Sequence, residues 1–73
     1  MTNDIRHRLS DVPFIPFRVH TADGREYEVP TPDHAHVYPN GARVSIYTDD
    51  GNEFILPALL ISGLKLKLSS SEG

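Results

Sequence analysis

Cysteine and tryptophan are both absent from this sequence of 73 residues. Without cysteine the chain forms neither a disulfide nor a thiolate zinc site, so good packing or self-association must stabilise it. The lack of cysteine also fits a reducing compartment, and we expect the protein in the cytoplasm. The short length predicts one small domain, residues 1–73, of marginal stability.

Long apolar runs are missing as well. No stretch approaches the roughly 18 apolar residues of a membrane span, and residues 1–10 are too polar for a signal peptide. We therefore expect no membrane contact. The formal net charge is −3, and seven of the ten acidic residues lie between positions 21 and 56. An acidic surface repels phosphates, so the composition argues against nucleic acid as a partner.

The first eleven residues, 1–11, predict a short N-terminal helix. Asn3 is a suitable N-cap, and Asp4 lies in the first turn, where the helix dipole favours negative charge. Ile5 and Leu9 are four residues apart and therefore share a face. A helix this short does not persist alone in water, so we expect this face to cover an end or an edge of a sheet.

The segment FRVHTADGREYEV, residues 17–29, alternates apolar and polar residues on both sides of an Asp-Gly pair and predicts a β-hairpin. A two-residue loop would mix apolar and charged side chains on each face. A three-residue loop, 22–24, separates them and puts Phe17 opposite Val29. We therefore predict this loop, with Gly24 at positive φ.

A second hairpin is predicted around the pair Asn40-Gly41, which favours a two-residue turn. This register turns Ala35 and Val37 towards the core. The polar and aromatic side chains of both strands then share the outer face, with His36 opposite Ser45 and His34 opposite Tyr47. The residues of this predicted face are His34, His36, Tyr38, Arg43, Ser45 and Tyr47.

A third hairpin is predicted at SIYTDDGNEFIL, where the sequence allows two registers. A three-residue loop turns Phe54 inward, whereas a two-residue loop turns Ile55 inward. We prefer the first because Phe54 is larger, and it leaves Ile55 on the outer face. Alternating leucines and lysines after Gly63 predict a last strand, and the polar residues 69–73 predict a frayed tail.

These elements predict an α+β, mostly β, fold. The expected architecture is a short N-terminal helix followed by a five-stranded, strongly bent antiparallel meander or small barrel of the SH3 or Sm-like kind. Strong bending would hide the sheet edges that so small a flat sheet exposes. Whether the sheet closes into a barrel is left open by the sequence.

The stretches IRHRL, VPFIPFRV, DGREYEV, PDHAHV and GARVSIY resemble a group of short bacterial proteins across residues 5–64. The resemblance implies no activity, since that group has no assigned function. The order of one helix and five strands is also similar to that of Sm-like proteins, as are GREYEV followed by Asp33, and ISG at 61–63. This second resemblance implies a small barrel and, as an alternative, nucleic-acid binding, although Ser62 stands where the Sm motif has arginine.

The pair His34 and His36 raises the hypothesis of a metal site. Two histidines at i and i+2 on a strand point the same way, and a third ligand from a neighbouring strand would complete a zinc site. In the predicted register the neighbours are Ser45 and Tyr47, which are not usual zinc ligands. We therefore expect no native metal, and we predict no other cofactor.

Patterns typical of catalysis are scarce: there is no cysteine nucleophile and no Gly-x-Ser-x-Gly elbow, and a turn or bulge explains the glycines. We predict a non-catalytic binding or assembly module rather than an enzyme. Tyr and Arg are enriched at the centres of protein interfaces. The predicted binding surface is accordingly His34, His36, Tyr38, Arg43 and Tyr47, and the expected partner is another protein or a second copy of the chain. An Sm-like nucleic-acid binder and a metal-dependent site at the two histidines are the alternatives.

Overall fold

The computed structural model describes residues 2–67. One helix, α1 (Thr2–Leu9), precedes six strands: β1 (Phe17–Thr21), β2 (Glu26–Val29), β3 (Ala35–Val37), β4 (Arg43–Tyr47), β5 (Glu53–Pro57) and β6 (Ile61–Leu66). Short 3₁₀ helices, Pro32–His34 and Ala58–Leu60, precede β3 and β6. The predicted α+β, mostly β, class is confirmed, whereas the predicted tail at 69–73 lies outside the described residues.

The strands form two antiparallel three-stranded sheets. Sheet A has the order β2-β1-β6, and sheet B has the order β3-β4-β5. The predicted five-stranded meander is not confirmed, because β1 pairs with the last strand, and β2 and β3 belong to different sheets. Pro30 and Pro32 explain that break, since proline has no N–H to donate to a continuing ladder. Closure into a barrel, which the sequence left open, is not confirmed either.

The hairpin of β1 and β2 has the predicted register, with Phe17 opposite Val29. The N–H of Thr21 donates to the carbonyl of Arg25 at 3.0 Å, and the N–H of Gly24 donates to the carbonyl of Thr21 at 3.0 Å. These two bonds close a three-residue loop. Gly24 has a φ of +86°, so the predicted glycine conformation is confirmed.

Gly24→Val should lower the free energy of unfolding by more than about 1 kcal/mol, because a β-branched residue resists positive φ. Space is not the cause, since a Cβ at this position would meet nothing within 4 Å. Gly63 is equally open but has no positive φ, which makes Gly63→Val the matched control. Denaturant unfolding of both variants measures the difference, and equal costs would contradict a conformational role for Gly24.

The segments TADGR, residues 21–25, and TDDGN, residues 48–52, form turns of the same type. In each, the threonine hydroxyl donates to the aspartate two residues later, from Thr21 to Asp23 and from Thr48 to Asp50. The Thr21 hydroxyl, assisted by the N–H and guanidinium of Arg25, holds the pKa of Asp23 below its ordinary value. Because the pKa is lowered on folding, this stabilisation is present above the unfolded-state pKa and is lost as the pH falls through the folded one.

The second of these turns confirms the preferred register of the third hairpin. Phe54 lies opposite Ile46, and Ile55 lies opposite Ser45. Phe54 is nevertheless 37% exposed, because its ring lies at the edge of the core, with its centroid 5.3 Å from that of Tyr27. The register is therefore as predicted, while the burial of Phe54 is only partial.

The turn between β3 and β4 differs from the predicted one. The N–H of Gly41 donates to the carbonyl of Tyr38 at 2.8 Å, and the N–H of Tyr38 donates to the carbonyl of Arg43 at 3.0 Å. The loop therefore holds four residues, and Asn40 does not take the positive φ of the predicted two-residue turn. Pro39 is the physical reason, because a two-residue turn would need its missing N–H to close the ladder. The register of the strands is unaffected.

The helix α1 packs on a core that both sheets share. Ile5 is fully buried together with Phe17 of sheet A and Ile46 of sheet B, and Leu9 packs against them. The helix begins at Thr2, so Asn3 lies inside it and the predicted N-cap is wrong.

No helix within residues 2–67 has the length and apolarity needed to cross a membrane.

Arg6 joins α1 to the loop that precedes β4. Its Nη2 donates to the carbonyl of Tyr38 at 2.7 Å and to that of Pro39 at 3.0 Å. In the same loop, Gly41 approaches the helix so closely that an added Cβ would lie 3.1 Å from the Oγ1 of Thr2. The helix thus fixes the end of the hairpin that carries the candidate site.

Candidate interaction surface

The candidate site is the side of sheet B that points away from the core, called the outer face below. Val44 and Ile46 are buried, so the alternate residues of β4 point outward. Cross-strand pairing then assigns the neighbouring side chains. The outer face comprises His36 and the adjoining Tyr38, Arg43, Ser45 and Tyr47 of β4, and Glu53, Ile55 and Pro57 of β5.

Ser45 lies at the centre of this face, yet its side chain is covered. It is only 1% exposed, and its hydroxyl donates to the phenolic oxygen of Tyr38 at 3.3 Å. The rings of His36 and Tyr38 lie 5.8 Å apart between centroids. Of the predicted surface residues, His36 and Tyr38 are therefore brought together, as neighbours around a buried hydroxyl.

His34 lies apart from this group. Its Nδ1 is 2.7 Å from the Oγ1 of Thr31, and its Nε2 is 2.8 Å from the Oδ1 of Asp49. The predicted pairing of His34 with Tyr47 is wrong, because a proline-initiated 3₁₀ helix occupies this segment and β3 begins only at Ala35. His34 instead connects the segment before β3 to the loop after β4.

The different positions of His34 and His36 bear on the metal hypothesis. The two rings do not stand on one strand face, and both nitrogens of His34 already have protein partners. Across residues 2–67, the structure contains no group of three or more His, Asp or Glu side chains that could hold a metal ion. The geometry of the described residues thus offers no third ligand to a His-x-His pair.

We expect a zinc titration to give no saturable, submicromolar shift of the His34 and His36 imidazole NMR signals. Replacing both histidines by asparagine should leave the fold intact, because neither belongs to the buried core, and the His34 contact, although the His34 side chain is only 19% exposed, ends on an Asp49 carboxylate that is 91% exposed. Joint saturable shifts, with a higher melting temperature, would instead establish a metal site.

The most exposed apolar side chains of the outer face adjoin Ser45. Ile55, which lies directly opposite Ser45, is 51% exposed, and Tyr47 is 37% exposed. Ile55 is absent from the predicted binding residues, although the alternation of β5 with a three-residue loop places it outward. The centre of the face is therefore more apolar than the predicted set of residues implied.

The charged residues of the outer face, Arg43 and Glu53, lie at opposite ends of the β4–β5 pair. Within residues 2–67 neither makes an ion pair. The outward side of sheet A differs, because Arg18 pairs there with Glu26 at 3.3 Å and with Glu28 at 2.9 Å. On sheet A, Arg18 is thus paired with both glutamates of β2, whereas Arg43 and Glu53 of sheet B face the solvent with no ion pair within residues 2–67.

No protein-family model matches this chain, and neither a curated protein nor a solved structure matches it.

Proposed function

We propose that this chain is a non-catalytic module that binds another protein, or a second copy of itself, through the outer face. The observation that carries the proposal is the exposure of two apolar side chains on a regular sheet face, Ile55 in its middle row and Tyr47 in the row beside it. Burying such a pair against a partner is favourable, at about 25 cal/mol for each Å² of apolar surface removed from water. The charged ends of the face supply the polar rim that protein interfaces have.

The predicted residues take different parts in this proposal. Tyr47 contacts the partner, and His36 and Tyr38 extend the contact surface beside it. His34 acts indirectly, because its bond to Asp49 holds the loop that follows β4. Arg43 contributes charge at one end of the face, where it gives the contact a direction.

Photo-crosslinking tests the proposal even though the partner is unidentified. Ile55 is replaced by benzoylphenylalanine in cells that naturally express the protein, and the covalent adducts are analysed by mass. Glu28, exposed on the outward side of sheet A, is labelled in the same way as the matched control. We expect protein adducts from position 55 and few from position 28. Tyr47→Ala in the position 55 background should reduce them several-fold while changing the melting temperature little.

Other outcomes of this experiment distinguish the alternatives. Adducts that a nuclease removes would favour an Sm-like nucleic-acid binder over a protein-binding module. Equal protein adducts from both positions, or none from position 55, would overturn the proposal. The cytoplasmic location stays a prediction, and fractionation of the same cells tests it.

A further inference from the structure

The outer face has a geometric property that bears on its partner: its charges are arranged for pairing with an identical face. Three cross-strand rows run along β4 and β5. They are Arg43 with Pro57, Ser45 with Ile55, and Tyr47 with Glu53. The positive charge therefore occupies the first row, the apolar contact the middle row, and the negative charge the last. A surface whose ends carry opposite charges is complementary to its own reversed copy.

We propose that two copies of this chain associate through their outer faces, related by a two-fold axis that crosses the strands at the row of Ser45 and Ile55. This arrangement rests on the proposed function and names its partner. The rotation reverses the strand direction, so Ile55 meets Ile55 of the second copy. Arg43 then lies over the row of Tyr47 and Glu53 of the second copy, where an ion pair and a cation–π contact are available.

The charges also decide between the two axes that keep the strands of the two copies aligned with one another. A two-fold axis parallel to the strands would keep each row opposite the same row of the second copy. Arg43 would then stand beside Arg43 of the second copy, and Glu53 beside Glu53, which is repulsive. The crossing axis replaces both repulsions by attractions, and it does so twice because the interface is symmetric.

The size of the face sets the expected strength. Three strands of up to five residues cover a footprint of about 13 Å by 10 Å. A contact confined to this footprint buries far less than the roughly 800 Å² of accessible surface that each partner buries in a standard interface. We therefore expect a weak, concentration-dependent dimer, with a Kd between about 10 μM and 1 mM.

Sedimentation equilibrium of the purified protein, at concentrations up to about 2 mM, measures the dimer Kd. Variants that reverse or exchange the charges at positions 43 and 53 then test the proposed arrangement. Arg43→Glu and Glu53→Arg should each weaken association at least about fivefold, because each variant places like charges together at both symmetric contacts. The double variant should restore association to within about threefold of the original. Leu59→Ser is the matched control, because Leu59 is 99% exposed but lies outside the three rows, and it should leave the Kd unchanged. Melting temperatures verify that every variant is folded.

The possible failures are distinct. An unmodified protein that stays monomeric at 2 mM, or a double variant no better than the single ones, would overturn the two-fold dimer. If position 55 still crosslinks to a different protein in cells, the proposed binding function stands and only the identity of the partner is wrong. If position 55 gives no protein adduct in cells, the proposed cellular function fails, whereas the dimer fails only if the purified protein stays monomeric at 2 mM.

Discussion

Ile5→Ala should lower the free energy of unfolding by about 2–5 kcal/mol, the range for truncating a large aliphatic side chain in a core. Ile5 is completely buried, and it is the residue through which α1 enters the core of both sheets. The loss is large for this chain, because domains of this size are stabilised by roughly 4–11 kcal/mol in total. It corresponds to a fall of at least about 8 °C in melting temperature.

Two neighbours in the same helix provide the controls for this result. Leu9 is partly buried against the core, and Leu9→Ala should cost about 2 kcal/mol. His7 is exposed, and His7→Ala should be close to neutral. If deletion of residues 1–11 leaves the thermal unfolding curve unchanged, α1 is not part of the folded unit.

Phe17→Ala should be the most damaging single truncation, at about 3–5 kcal/mol. Phe17 is 2% exposed on the central strand of sheet A, between Val29 on one side and Leu66 on the other. Its ring also lies 6.0 Å from that of Phe14 between centroids. Truncation leaves a cavity that neighbours on two strands cannot fill without disturbing both ladders.

Phe54→Ala is the matched control, because it removes the same side chain from an edge strand where that side chain is partly in solvent. We expect it to cost less than half as much as Phe17→Ala. Urea unfolding of both variants gives the comparison. Equal costs would mean that Phe17 is packed no more tightly in the core than Phe54.

The three hairpin registers could be predicted from sequence because they depend on local information. Side-chain alternation requires one register in which Phe17 meets Val29, and another in which Val37 meets Val44. The glycine after each aspartate marks the residue at positive φ. Such signals lie within a few residues of each turn, so the rest of the chain does not alter them.

The division into two sheets and the position of His34 could not be predicted in the same way. Pairing of β1 with β6 depends on distant parts of the chain, and no local pattern reports it. His34 follows the alternation of β3, but Pro32 starts a 3₁₀ helix there and removes the residue from the strand. Pro32 is visible in the sequence, but whether it starts a 3₁₀ helix or a strand depends on where β2 ends.

The sequence predicted which strands form the candidate face, but it did not predict every residue or contact on that face. His36, Tyr38 and Tyr47 follow from the register of β3 and β4, whereas Ile55 required a choice between two registers of the third hairpin. The hydrogen bond that covers Ser45 depends on the rotamer of Tyr38, and side-chain rotamers across strands are set by packing rather than by local sequence.

The partners of β1 become available at very different times during synthesis. β2 begins only five positions after the last residue of β1, whereas the residues of β6 lie about 40 to 50 positions away from those they pair with. A ribosome adds roughly 5–20 residues each second, while a hairpin forms in about 1–10 μs. The β1–β2 hairpin can therefore close as soon as both strands are free, whereas the other edge of β1 lacks its native partner for several seconds more, with its N–H and C=O groups available to any other strand. Crowded translation of this protein should favour aggregation through that edge, and slower initiation, which spaces the ribosomes on the message, should reduce it.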